Sequence, residues 1–347
     1  MNIYEQQISN RRWTAAIVAL FFALFMFIGL GFDVFMLGMP FPVLNPDGAP
    51  GVMAYAGHRR ARARAHAELP RRTDSVPYGT IASLLFACGM LLNSVFNGPG
   101  MILSSCMARP PNPLDDKEKQ LVNIAEEMSI AAGLPPPQVY VVPDADPNAF
   151  ATGFSPGGAK IAVTQGLLDC LSREELQAVV AHEMSHVRNY DIRLMTMIAA
   201  LCGALALLSD WAGRSVRAGG GSRGKGKSGG NIVVFVLWLA LVILAPVIAQ
   251  LLATAVSRKR EYLADATGAE LTRNPLALAR ALEKIRAAAS PTRLMNREGV
   301  AHMCISDPRG GLFDDKEGLV ADILATHPPM GRRITALKMM AYAGGAS

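Results

Sequence analysis

Two histidines and a glutamate lie together in the pentapeptide His182-Glu183-Met184-Ser185-His186. Residues four apart share one face of a helix, so both imidazoles can bind the same zinc ion at about 2.0–2.1 Å. Glu183 follows the first histidine and is turned around the helix, which places its carboxylate beside the open position of the metal. The pattern predicts His182 and His186 as zinc ligands and Glu183 as the catalytic base. The alternative is a solvated helix face, because this pattern also occurs by chance.

A third ligand is predicted in the segment Arg260-Glu261-Tyr262-Leu263-Ala264-Asp265. Tetrahedral zinc with an open position needs three protein ligands, and two histidines with one glutamate are an established set. Glu261 and Asp265 share a helical face, so Glu261 can bind the metal while Asp265 hydrogen-bonds a ligating imidazole. The alternative is a juxtamembrane charge cluster in which these carboxylates pair with Arg258 and Arg260.

The elements that must position these residues include both helices and strands. A capping box, Ser172-Arg173-Glu174-Glu175, opens the helix that carries the first two ligands. Apolar spacing predicts another helix from Asp115 to Ala132, and short apolar runs predict strands at Val139–Val142 and Lys160–Thr164. The extramembrane part is therefore predicted to be α+β.

Four apolar runs predict helices that span a membrane. The chain has 347 residues, of which 51% are apolar and only 18% are charged. About 20 apolar residues cross a hydrocarbon core about 30 Å thick. For the two middle runs a buried core helix or hairpin is the alternative, and the first run exceeds the length of a signal-peptide core. The runs are 13–32, 79–95 with an extension to 105, 194–208 and 232–253.

This arrangement predicts two regions. Residues 1–107 hold two spanning helices and a basic loop, and residues 108–347 form a metalloprotease domain interrupted by spans at about 193–212 and 231–253. The basic runs at 58–64 and 219–228 lie between spans without interleaved aromatic residues. They favour lipid headgroups or solvent over nucleic acid as partners. Basic residues are nearly balanced between the two sides, so charge does not fix the orientation.

Several motifs in the same order resemble peptidase family M48, the membrane-bound peptidases that include the bacterial heat-shock protease HtpX and the CAAX-processing prenyl-protein protease. The resemblance covers about residues 115–341 and is closest to the HtpX branch. It is carried by Asn148–Gly153, Ile161–Thr164, Ala181–Asn189, Arg260–Asp265 and Thr326–Ile334.

The resemblance implies further roles outside the predicted ligands. Asn148 and Ala149 would hold the substrate backbone, and the strand Ile161–Thr164 would pair with an extended peptide. His327 would donate a hydrogen bond to the oxyanion, and Arg333 would support that corner. The alternative for His327 is a structural histidine in a proline-rich turn.

Together these observations predict a multi-pass α-helical membrane protein with an α+β, gluzincin-type metalloprotease domain and one zinc ion per chain. We expect it in the cell (inner) membrane with the catalytic segments facing the cytoplasm. The expected substrates are misfolded or damaged polypeptides near the bilayer. A processing protease of narrow specificity and a catalytically silent, zinc-bound scaffold are the alternatives, and the oligomeric state is left open.

Overall fold

A computed structural model describes most of the predicted catalytic segments and the first two spans. The third predicted span beyond residue 198, the fourth predicted span, the arginine-rich loop and His327 lie outside the described residues. The structure describes residues 3–35, 37, 76–198, 260–288, 303–306 and 328–344.

Two long helices form an N-terminal pair. Helix α1 runs from Ile3 to Phe35 and α2 from Tyr78 to Ser105, continuing through Pro99. Residues Ile8–Val34 and all of α2 are long and apolar enough to cross a membrane by length and composition. Both helices contain the apolar runs predicted as the first two spans, including the extension of the second run past Pro99.

The end of α1 closes directly on the start of α2. The Asp33 carboxylate is buried and accepts hydrogen bonds from the backbone N–H of Gly79 at 2.6 Å and of Thr80 at 2.8 Å. These donors belong to the first turn of α2, where backbone N–H groups have no partner within the helix. Gly29 permits this approach, because a Cβ atom there would lie 2.6 Å from the Cα atom of Thr80.

The elements of the predicted extramembrane part follow in the predicted order. Helix α3 begins after Asp115, whose side chain accepts from the N–H groups of Lys117 and Glu118, and ends at Gly133 with φ 67°. That left-handed conformation suits glycine, which has no Cβ. The elements are α3 (Asp116–Ala132), β1 (Gln138–Val142), β2 (Ala149–Thr152), β3 (Lys160–Thr164), α4 (Gln165–Cys170) and α5 (Arg173–Arg188).

The three strands form one mixed sheet in the order β1–β3–β2. Strand β3 pairs in parallel with β1 and antiparallel with β2. The prediction that Ile161–Thr164 offers a free edge to a peptide is therefore wrong, since both sides of that strand are already paired. The outer strands are β1 and β2, and β2 was not predicted as a strand because its four residues are all buried and show no alternation.

Further helices complete the described part of residues 108–347. Residues 191–198 (α6) and 260–272 (α7) are helical, followed by α8 (Pro275–Ala288) and α9 (Met330–Gly344). Helix α5 packs against α3, α8 and β2, while α9 packs against α8. One apolar core joins these helices to the sheet. The described part outside the N-terminal helix pair is thus α+β with helices predominating, as predicted.

Candidate metal centre

Helix α5 carries the predicted pentapeptide in its last two turns. The predicted capping box is confirmed: Ser172 N–H donates to Glu175 Oε2 at 2.8 Å, and Glu175 N–H donates to Ser172 Oγ at 3.4 Å. This cap fixes where the helix begins and therefore which face His182 and His186 occupy. Helix α7 lies against that face, because a Cβ atom at Gly268 would stand 3.0 Å from the backbone nitrogen of His182.

Three donor atoms converge between α5 and α7. The Nε2 atoms of His182 and His186 are 3.3 Å apart, and the Glu261 carboxylate oxygens lie 3.7 and 3.6 Å from them. Two donors on a tetrahedral zinc ion are separated by about 3.3–3.4 Å when each bond is about 2.0–2.1 Å. The three residues therefore fit one zinc ion without rearrangement of the backbone. They are the one group of this kind among the described residues.

Glu183 is buried beside these donors, with 2% of its surface exposed. Its Oε2 atom has no hydrogen-bond partner among the described residues. Burial raises the pKa of the Glu183 carboxyl, while His182, His186 and Arg333 act in the opposite direction. A carboxylate of raised pKa next to a metal site is suited to accept a proton and to release it again.

Asp265 contacts the first histidine from one turn along α7. Its Oδ1 atom lies 3.0 Å from His182 Nδ1. Arg333 on α9 binds the same carboxylate with two hydrogen bonds, of 2.8 and 2.7 Å, and its Nη1 atom lies 3.2 Å from Glu261 Oε2. Burial acts to raise the pKa of Asp265, but Arg333 and His182 outweigh it and lower the pKa. Asp265 therefore stays ionised and holds the imidazole in place.

A second carboxylate, which the sequence analysis did not identify, contacts the other histidine. Asp191 Oδ2 lies 3.0 Å from His186 Nδ1, and Asp191 is buried. Burial acts to lower the pKa of His186, but the hydrogen bond that His186 donates to Asp191 and the charges of Glu261, Asp191 and Glu183 raise it to about 9. An aspartate five residues after the second histidine, just past the end of α5, was the available signal.

The remaining predicted residues lie around Arg333 and β2. The Asn148 side-chain amide donates to the Ser306 carbonyl at 2.9 Å, and Ile305 N–H donates to the Ala149 carbonyl at 3.0 Å. Arg333 Nη1 also donates to the Ile305 carbonyl at 3.1 Å. Residues of the chain itself therefore contact Asn148 and Ala149, whose role in holding a substrate backbone stays a prediction.

The structure thus brings together His182, His186, Glu261, Glu183 and Asp265, with Arg333 behind them. Their donor set suits a zinc ion, which supplies a Lewis acid for hydrolysis. A water molecule next to that ion would lie within reach of a buried carboxylate base. His327 lies outside the described residues, and its role stays a prediction.

Comparisons with known proteins identify the family of this chain. The profile of peptidase family M48 matches residues 115–341. The protease HtpX homolog of Thermoanaerobacter pseudethanolicus is 45% identical over 240 residues, which cover 69% of this chain and 77% of that protein. The protease HtpX homolog of Thermococcus sibiricus is 40% identical over 266 residues, 76% of this chain and 87% of that protein.

A similar solved structure is the crystal structure of S. mikatae Ste24p, with 21% identity and a TM-score of 0.47. That alignment covers 76% of this chain and 59% of the Ste24p chain. The family assignment rests on the profile and on the relatives of higher identity. The profile match spans well over half of the chain and includes all three predicted metal ligands, so the chain belongs to peptidase family M48 and is HtpX-like.

Proposed function

We propose that this chain is a zinc-dependent endopeptidase of the cell membrane that hydrolyses misfolded or damaged polypeptides. The observation that carries the proposal is the convergence of His182, His186 and Glu261 at zinc-ligand separations beside a buried glutamate. This donor set leaves a coordination position open, which distinguishes a catalytic zinc site from a closed structural one.

The residues of the chain divide the reaction between them. Zinc would polarise the scissile carbonyl and make a neighbouring water acidic enough for a carboxylate to deprotonate. Glu183 takes that proton and then passes it to the leaving amine, for which its raised pKa is suited. Asp265 and Asp191 keep the two imidazoles oriented. His327 is proposed as the oxyanion donor, in agreement with the family resemblance.

The site is proposed to lie close to the bilayer surface. Asn10 is the third residue of the candidate span Ile8–Val34 and lies about 3 Å along the helix axis from its start. Its side chain donates to Asp191, which contacts the ligand His186. Two hydrogen bonds in series therefore connect the first turn of the candidate span to the metal centre. A site placed here reaches juxtamembrane loops, unfolded tails and segments that leave the membrane.

The outer edge of β2 is the proposed docking site for substrate. The Asn148 carbonyl accepts from Thr164 N–H, so in the antiparallel pattern Ala149 and Ala151 direct their backbone groups away from β3. The Ala149 carbonyl already accepts from Ile305 N–H. Ala151 is therefore the next residue of β2 whose backbone groups are proposed to pair with a substrate. Pairing through backbone groups requires an extended substrate chain and depends little on the side chains of the substrate. It therefore favours unfolded substrates over a single sequence motif.

The experiment for this function compares an unfolded reporter, free or anchored by a membrane span, with cleavage sites stepped away from the bilayer. The detergent-solubilised or vesicle-reconstituted protein should cleave the reporter. A chelator should stop this cleavage, and added zinc should restore it. In vesicles, cleavage of the anchored reporter should fall sharply beyond the first few tens of residues. Cleavage that persists in chelator would contradict zinc dependence, and equal cleavage at all distances would contradict the membrane-proximal site.

We also propose that the catalytic segments face the cytoplasm. Cys304 is buried, so it cannot report the orientation, and Cys170 is half-buried. Leu114 is 89% exposed in the extramembrane part, which makes Leu114→Cys in a Cys170→Ser background a better reporter. A membrane-impermeant thiol reagent should label this cysteine only after the cells are permeabilised. Labelling in intact cells would place the catalytic segments on the outer side of the cell membrane.

A further inference from the structure

We propose that Asn10, in the first candidate span, is a positioning residue of the metal centre. It fixes the carboxylate of Asp191, which in turn orients the ligand His186. The inference rests on the zinc site proposed above. It makes the N-terminal helix a working part of that site in addition to a membrane anchor.

The side chain of Asn10 contacts residues that follow it by 179 and 181 positions in the chain. Its Nδ2 atom donates to Asp191 Oδ1 at 2.5 Å and to the Asn189 carbonyl at 2.8 Å. Asn10 is 2% exposed, so both bonds are shielded from competing water. A carboxamide has two N–H donors, which matches one carboxylate and one carbonyl acceptor.

Asp191 is held at both of its oxygen atoms. Oδ2 lies 3.0 Å from His186 Nδ1, while Oδ1 accepts from Asn10 and lies 3.8 Å from Arg260 Nη1. A carboxylate bound at Oδ1 cannot rotate freely about its terminal bond, so the direction of Oδ2 is set. That direction determines where the ring of His186 points its Nε2 atom. Partners of this kind change metal affinity by about 10- to 100-fold when they are removed.

Helix α1 contacts the whole turn that follows α5. Tyr190 has φ 59°, a left-handed conformation that is uncommon for a residue with a side chain. Its ring is flanked by the guanidinium groups of Arg11 and Arg193, whose carbons lie 5.8 and 5.4 Å from the ring centre. Asn10 and Arg11 therefore reach all three residues from 189 to 191, which keeps the turn in this conformation.

The test uses the full-length protein in detergent with Asn10→Ala and Asn10→Asp. The first removes both donors, and the second keeps the shape but sets a carboxylate against Asp191. Asn97→Ala is the matched control, because Asn97 is exposed on α2 and its side chain binds Asn93. Zinc affinity is measured by competition with a chromophoric chelator. The geometry of the site is followed by the visible spectrum of the cobalt-substituted protein, which does not depend on activity.

We expect both Asn10 variants to bind zinc more weakly, by at most the about 10- to 100-fold that loss of a direct partner of a ligating histidine costs, and to show a changed cobalt spectrum, while Asn97→Ala matches the wild type. In a double-mutant cycle with Asp191→Ala, the two losses of affinity should not add. Thermal unfolding of the metal-free variants checks that they fold, and Asn10→Asp replaces Asn10→Ala if the latter does not. Wild-type affinity and spectrum in a folded Asn10 variant would overturn the inference. Absence of zinc binding in the wild type would instead overturn the proposed function.

Discussion

Replacement of Arg333 by methionine should destabilise the metal-free protein severely. Arg333 is fully buried and forms two hydrogen bonds with Asp265, lies 3.2 Å from Glu261 and donates to the Ile305 carbonyl. Methionine fills most of the volume but leaves two buried carboxylates without their cation. Loss of one partner of a buried ion pair costs about 3–5 kcal/mol. At about 2–4 °C for each kcal/mol in a cooperative unit of about 150–250 residues, the size of the predicted metalloprotease region, the Tm should fall by about 6–20 °C.

The assay is thermal unfolding in detergent with a chelator present, so that bound metal does not mask the loss of stability. Lys338→Met on the same helix is the matched control, because the Lys338–Glu283 ion pair has a similar length of 2.7 Å but is exposed on both sides. Its Tm should not change measurably. If Arg333→Met unfolded at the same temperature as Lys338→Met, the assignment of Arg333 as the cation that balances Asp265 and Glu261 would be refuted.

Three further predictions concern packing, capping and pH. Gly268→Val should reduce bound zinc, measured by metal analysis, because its side chain would push α7 away from α5; Gly331→Val meets more open space and should keep the metal. Asp33→Ala should lower the free energy of unfolding by about 1–3 kcal/mol in chemical denaturation, because it leaves the first N–H groups of α2 without their acceptor. Glu118→Gln should destabilise the protein at pH 7, and this difference should shrink progressively as the pH falls below about 4, the usual range for a free glutamate. The hydrogen bonds from Arg109 lower the pKa of Glu118, so its stabilisation is present above the unfolded-state pKa and is lost as the pH falls through the folded-state value; a difference that stays constant as the pH falls would contradict this.

Local sequence patterns were sufficient to predict the elements that carry the metal ligands. The capping box at Ser172 predicts the start of α5, and the spacing of His182 and His186 predicts their common face. The same holds for α3, which begins at an aspartate cap and ends at Gly133. In each case the decisive interactions join residues within one or two turns of the chain, so their signal is present in a short window of sequence.

Long-range contacts were missed for a physical reason. Strand β2 is short and fully buried, so it lacks the alternation that marks a half-exposed strand, and without it the sheet order cannot be worked out. Asn10 and Asp191 bond across 181 positions. Either residue alone is an ordinary polar side chain near the end of an apolar helix, and only tertiary packing makes them a pair.

Residues 305 and 306 illustrate the same limit. Their backbone groups bind Asn148, Ala149 and Arg333, yet no residue type among them signals such a role. In an irregular segment such as this one, the backbone hydrogen bonds depend on the route that the chain takes through the fold. The side chains of residues 305 and 306 do not specify that route. The family resemblance pointed to Asn148 and Ala149 but not to the segment of the chain that contacts them.

We propose that Glu183 acts as the base while His182, His186 and Glu261 hold the zinc ion. The decisive measurement determines zinc content and proteolysis together on Glu183→Gln and Glu261→Ala. Glu183→Gln should retain one zinc ion per chain and lose hydrolysis of an unfolded protein, because it keeps the ligands and removes the proton acceptor. Glu261→Ala should lose both. Loss of zinc in Glu183→Gln, or full proteolysis in either variant, would contradict these roles of Glu183 and Glu261.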